Sequence, residues 1–207
     1  MEINRLKRSD FKKYMDTGVD YATYRQQVAA ELVLNEDPVV QGYIEMNQIR
    51  MYRIEKTYMV SAELVEKVKR LPHKVYWLVL TESWCGDASQ ILPVLNKVAV
   101  ISEGKIEMKL VYRDKNPELM DAFLTNQTRS IPKLIQLDTN FQLTGIWGPR
   151  PNEAQQLVKK LKSDPKTAND YSKALHLWYA KDQQRSLELD ISKLLVRTNI
   201  YCTDCLS

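Results

Sequence analysis

Cysteine, glycine and histidine are scarce in this 207-residue chain, with three, six and two copies respectively. An odd number of cysteines leaves at least one unpaired, which excludes a closed intrachain disulfide framework. The default compartment is then a reducing cytoplasm, where a cysteine motif more often signals catalysis or metal than a structural bridge. Six glycines and eight prolines exclude low-complexity and collagen-like classes. Neither G-x-G-x-x-G nor G-x-x-x-x-G-K-S/T occurs, so both common nucleotide fingerprints are missing. Long apolar runs are missing too. The longest, Val75-Tyr76-Trp77-Leu78-Val79-Leu80, has the length of a buried strand and falls far short of a bilayer span.

Charge of one sign is also lacking. Thirty Lys and Arg against 26 Asp and Glu leave +4, with the signs interspersed. Nucleic-acid binding needs many clustered cations, so that class is not expected. Lys7-Arg8, Lys12-Lys13 and Lys159-Lys160-Leu161-Lys162 read as solvated helix faces. The charged opening Met1-Glu2-Ile3-Asn4-Arg5 has none of the apolar stretch of a secretory signal. A cytoplasmic protein with no membrane segment is therefore expected. What the chain does have is 44% hydrophobic residues, enough for a sizeable core in a length between one and two average domains.

The first sixty residues carry helical spacing. Tyr21, Tyr24, Val28 and Leu32 form one apolar stripe; Val40, Tyr43, Ile44, Ile49 and Tyr52 form a second. Asn35-Glu36-Asp37-Pro38 separates them, with Asp37 as N-cap and Pro38 in the first helical turn. A short helix is expected over 62–70. The period then becomes that of a strand over 75–80, of a helix over 88–100, and of a strand again over 106–112. A short helix over 117–124 leads to two strands, 132–137 and 141–147, joined through the turn-forming Asp138-Thr139-Asn140. Helices over 151–161, 168–179 and 187–195 close the order. A strand–helix–strand unit runs parallel and a tight hairpin antiparallel. The expected fold is α/β, with a mixed central sheet covered by helices on both faces over residues 71–163. A helical extension precedes it (1–70), and another follows (164–207), ending in a cysteine-containing tail.

The chemistry sits where the first strand ends. Ser83-Trp84-Cys85-Gly86-Asp87-Ala88 leaves a buried strand and enters a helix, so Cys85 belongs at a helix N-terminus. Unpaired N–H groups and the helix dipole stabilise a thiolate there and draw its pKa toward neutrality, while Asp87 in the first turn opposes that shift. Trp84 supplies a flat apolar surface, and Gly86 lets a partner backbone come close. Taken singly, Trp84 and Trp147 read as packing residues and Cys85 as a small buried one.

These residues resemble the thioredoxin family. Trp84-Cys85-Gly86 stands where that family has Trp-Cys-Gly-Pro-Cys, after the same kind of strand. Ser130-Ile131-Pro132 is similar to its Ile-Pro element, whose proline is cis and faces the cysteine. Gly148, after Trp147, is similar to the glycine before its last helix. Trp84-Cys85-Gly86-Asp87 also resembles the thioredoxin-like proteins that carry Trp-Cys-Gly-Asp, many of them bacterial. The resemblance implies a thiol–disulfide oxidoreductase of the thioredoxin-like fold, acting on a protein disulfide or a low-molecular-weight thiol adduct, with the partner extended against Ile131. It also implies an altered cycle. Ala88 stands in place of the second, resolving cysteine, Asp87 in place of the intervening proline, and Val79 in place of the buried aspartate that serves the second thiol. A mixed disulfide at Cys85 would need another thiol for release.

Cys202-Thr203-Asp204-Cys205 offers a dithiol near the end; it reads either as a solvated tail or as the resolving pair. His73 and His176 are isolated rather than spaced as ligands, so neither metal nor other cofactor is expected. Glu82 reads as a loop carboxylate at the surface, or as a proton carrier near Cys85. Two functions stay open: monothiol disulfide exchange, and a redox-inactive module that holds a partner peptide in the groove. Iron–sulfur or glutathione binding in the manner of monothiol glutaredoxins fits less well, because Asp87-Ala88 replaces the Phe-Ser of their Cys-Gly-Phe-Ser motif.

Overall fold

The computed structural model describes residues 6–200. Four helices come first: α1 (Arg8–Thr17), α2 (Tyr21–Leu34), α3 (Pro38–Thr57) and α4 (Ala62–Lys69). Side-chain caps start three of them. Asp20 accepts the Thr23 N–H at 2.7 Å, Asp37 accepts that of Val39 at 2.8 Å with Pro38 in the first turn, and Ser61 accepts that of Leu64 at 3.3 Å. Then follow β1 (Val75–Thr81), α5 (Gly86–Ile101), β2 (Ile106–Tyr112), α6 (Pro117–Ala122), β3 (Lys133–Leu137) and β4 (Leu143–Trp147). Helices α7 (Asn152–Ser163), α8 (Tyr171–Asp182) and α9 (Arg185–Ile200) complete the order.

The sheet order is β2-β1-β3-β4. β1 and β2 run parallel from Val75–Ile106 to Thr81–Tyr112, as the intervening α5 requires; β3 lies antiparallel to β1, and β4 antiparallel to β3. β1 and β3 are buried along nearly their whole length, which explains why the β1 sequence reads as an apolar run rather than an alternating one. The open edge of β2 is blunted by Val19, which exchanges two backbone hydrogen bonds with Leu110 at 2.8 and 2.9 Å. Helices lie on both faces. On one, Trp77 Nε1 donates to Gln136 Oε1 at 3.0 Å and Gln136 Nε2 donates to the Leu194 carbonyl of α9 at 3.1 Å, so a polar relay crosses the core fully paired. Residues of α1, α3, α4 and α9 join the sheet and α5 in one hydrophobic core; a smaller cluster of Ala154, Val158, Leu175 and Tyr179 joins α7 to α8. No helix among the described residues is long and apolar enough to cross a membrane.

One apolar stripe is reassigned. The sequence points Tyr43, Ile49 and Tyr52 inward with Ile44, whereas α3 buries Ile44, Asn47, Met51 and Ile54 and exposes the other three. The helix carries apolar residues around most of its circumference, and packing against α5 selects the stripe.

Gly148 holds the start of β3 against the end of β4. Its φ is +115°, and a Cβ there would lie 2.3 Å from the Pro132 carbonyl oxygen. The Ile131–Pro132 and Gly148–Pro149 peptide bonds on either side of this contact are both cis. Gly148→Ala is expected to cost about 2–3 kcal/mol from backbone strain, roughly 5–10 °C in a melting experiment on a chain of this size. An unchanged Tm would contradict the close approach.

Candidate functional site

Cys85 is the N-cap of α5, and its sulfur lies 3.5 Å from the Ile131 carbonyl oxygen, beside Pro132. The residue is 6% exposed and lines a cleft of about 1070 Å³. Trp84, Gly86, Asp87 and Ile131 border the same cleft. Ala88 and Val79 are buried, so the positions of the second cysteine and its usual aspartate hold two packed aliphatic side chains. Gly148 and Trp147 border a separate depression of about 290 Å³, where Trp147 Nε1 donates to Asp190 of α9 at 3.0 Å. Cys202 and Cys205 lie outside the described residues.

The two opposed influences expected on the thiol resolve upward. Burial first, and the Asp87 carboxylate second, push the Cys85 thiol up to about 12, although the Asp87 and Ala88 amides and Arg150 act the other way. The helix N-terminus is present, but desolvation outweighs it.

Gly86 does not keep space for a partner backbone. A Cβ there would lie 3.0 Å from His176 Nε2, so α8 of the same chain occupies the approach. Asp87 explains why. Its carboxylate, 7% exposed, receives Arg150 Nε at 2.9 Å on Oδ1 and Arg150 Nη2 at 2.6 Å on Oδ2, and Tyr179 Oη donates to Oδ1 at 2.7 Å. The first turn of α5, the loop after β4 and α8 meet at one carboxylate. Burial still holds the Asp87 carboxyl above its ordinary value, against the pull of Arg150 and Tyr179.

Sequence reasoning missed Asn47, Arg50, Arg150 and Tyr179, and left His176 without a place. Asn47, 1% exposed, donates to the Ser83 carbonyl at 3.0 Å and accepts from Arg50 Nη1 at 2.9 Å, fixing α3 to the residues just before the cysteine. An asparagine on an otherwise apolar buried stripe was a readable signal. Gln90 Nε2 lies 3.3 Å from His176 Nδ1, and burial together with Arg50, Arg150 and Arg53 pushes the imidazole down to about 4. Arg113 lies over the Trp84 ring at 4.9 Å. His73 is exposed in the turn before β1. Among the described residues no cluster of His, Cys, Asp and Glu is placed to hold a metal ion.

Glu82 is not at the surface. It is 7% exposed and accepts the Asp114 N–H at 2.8 Å; its side chain borders a different cleft, with Tyr112 and Glu31, and burial raises it to about 7.

A family model described as Thioredoxin matches residues 33–162. Thioredoxin 1 of Nostoc sp. is 31% identical over 80 residues, 38% of this chain and 72% of that protein. A crystal structure of a protein of unknown function from Pseudomonas aeruginosa superposes with a TM-score of 0.59 at 21% identity, covering 90% of this chain and 95% of the other. An HIV epitope-scaffold superposes equally well, with a TM-score of 0.59 at 20% identity over 91% and 96% of the two chains.

Two measurements test the electrostatics. Asp87→Asn leaves the half-buried Arg150 without its charge partner and is expected to cost about 3 kcal/mol in urea unfolding; Tyr179→Phe, which removes one hydrogen bond to a charged group, should cost about 1.5–3 kcal/mol. For Glu82, the folded pKa lies above the unfolded one, so the native state holds the extra proton between pH 4.5 and about 7 and stability falls as pH rises through that window. Glu82→Gln keeps the acceptor for Asp114. It should stabilise the protein by about 2–3 kcal/mol at pH 8 and by nothing at pH 4; equal effects at both would show that Glu82 does not titrate there.

Proposed function

This chain belongs to the thioredoxin family, and on that premise we propose that it carries out thiol–disulfide exchange through Cys85 alone. The observation that carries the reading is the placement of the sulfur: N-cap of α5, beside Pro132, on the lining of a large cleft. Cys85 loses its proton to solvent, attacks a disulfide and is left in a mixed disulfide, while the displaced thiolate leaves. Ala88 offers no second thiol, so an external thiol, or Cys202 or Cys205 of the tail, completes the cycle. The reducing cytoplasm, where such thiols abound, is the fitting compartment. Trp84, Asp87 and Ile131 shape the reaction site around the sulfur, and Gly148 supports Pro132 from behind.

A second reading is favoured by the burial of Cys85, 6% exposed, which also raises its thiol pKa: a thioredoxin-fold module that holds a partner peptide beside Ile131 and Pro132 without turnover. The two readings differ in one reaction. In a Cys202→Ser/Cys205→Ser protein, an aromatic disulfide reagent should release one equivalent of thiolate from the native state, faster as pH rises toward 10, and Cys85→Ser should release none. Release only after denaturation would sink the exchange reading and leave the binding module.

A further inference from the structure

The walls of the Cys85 cleft carry information about what enters it. Helix α3 turns one stripe toward it, Val39, Tyr43, Met46 and Arg50, spaced by four, three and four residues. The first three expose apolar surface. The fourth places its guanidinium at the sulfur end, with Nη1 at 3.7 Å from where a Cβ on Gly86 would lie. His176 faces the same point from α8. A Gln90 amide nitrogen 3.3 Å from Nδ1 matches the imidazole tautomer with its proton on Nε2, the nitrogen on the Gly86 side of the cleft.

The charges here are one-sided. Arg113, Arg129 and Arg150 also line the cleft, each paired with a carboxylate: Asp114, Asp121 and Asp87. Arg50 is held by the Asn47 side-chain oxygen and, among the described residues, forms no ion pair, although it feels the Asp87 carboxylate at longer range. Among the described lining residues Asp87 alone is acidic, and Arg150 neutralises it. Access is also restricted. Cys85 is 6% exposed and its sulfur already engages the Ile131 carbonyl, in a cleft flanked by α3 and α8 whose volume of about 1070 Å³ suits a small ligand.

We propose that the cleft is an anion-selecting site, and that the exchange partner of Cys85 is a low-molecular-weight disulfide bearing a carboxylate a few bonds from its sulfur. The carboxylate sits between Arg50 and His176 Nε2, and the rest of the molecule lies along Val39, Tyr43 and Met46. This inference rests on the exchange reading above. The Cys85 thiolate attacks one sulfur of R–S–S–R, the S–S bond breaks, and RS⁻ leaves and takes a proton from water. A second low-molecular-weight thiolate then attacks the R sulfur of the mixed disulfide, forming a new disulfide and returning the electron pair to Cys85. One disulfide is consumed and one formed, with no net oxidation.

The test compares three disulfides of similar size and different charge: 3,3′-dithiodipropionate, bis(2-hydroxyethyl) disulfide and cystamine. Rates of mixed-disulfide formation at Cys85, in the Cys202→Ser/Cys205→Ser protein, are normalised to those of a free cysteine peptide. The anionic disulfide is expected to lead the neutral one by roughly tenfold and the cationic one by more. Arg50→Gln should bring the three within about threefold of each other, as should raising salt from about 20 mM to about 0.5 M. Calorimetry on Cys85→Ser should show 3,3′-dithiodipropionate binding that Arg50→Gln abolishes. Equal normalised rates with a reactive Cys85 would overturn the anion site and leave exchange standing. No reaction with any of the three, but Arg50-dependent binding to Cys85→Ser, would overturn exchange and with it the proposed partner.

Discussion

A single buried carboxylate organises the region around the cysteine. Asp87 sits in the first turn of α5, where the helix N-terminus favours negative charge, yet burial would make it costly without a cation. Arg150 supplies that cation through two contacts, and Tyr179 adds a third donor. Because these partners come from the loop after β4 and from α8, compensating the charge also fixes where α8 lies. With Tyr179 bound to Asp87, His176 one turn earlier falls against Gly86, and the small core between α7 and α8 closes behind it. The α8 side of the cleft is thus tied to the neutralisation of one side chain.

The same burial governs the thiol. A helix N-terminus is worth about 0.3–1 kcal/mol to an anion at a surface, less than one pKa unit, which is about 1.4 kcal/mol. Desolvation of a fully buried group moves a pKa by up to about 3–5 units. With Asp87 as a further negative charge beside it, Cys85 ends above its ordinary value rather than below it. Reactivity at this position therefore depends on what reaches the sulfur and on the charge it carries, which gives the cations lining the cleft their significance. Arg50 matters most among them, because the others are already matched by carboxylates.

Elsewhere the molecule keeps its polar groups paired in ways that join distant segments. The Trp77–Gln136–Leu194 relay crosses from the central strands to α9, and Asn47 joins α3 to the backbone at Ser83. Each places a hydrogen-bonding side chain on an otherwise apolar face, where leaving it unmatched would be costly, and so narrows the ways in which the flanking helices can dock on the sheet.

Local pattern alone determined a great deal here. The six-residue apolar run, the alternation over 106–112 and the turn at Asp138-Thr139-Asn140 each mark an element through short-range physics, and strand–helix–strand order dictates parallel pairing. Cys85 at a helix mouth and the Ile131-Pro132 segment were legible for the same reason, since each is a matter of adjacent residues. The tertiary structure decided which stripe of α3 is buried, that Glu82 is enclosed, and that the thiol pKa rises. It also brought Arg50, Arg150, His176 and Tyr179 to Cys85 across separations of 35 to 94 residues. Periodicity reports which faces of an element are apolar; it carries no information about which neighbour covers a face, and burial and charge pairing depend on that neighbour.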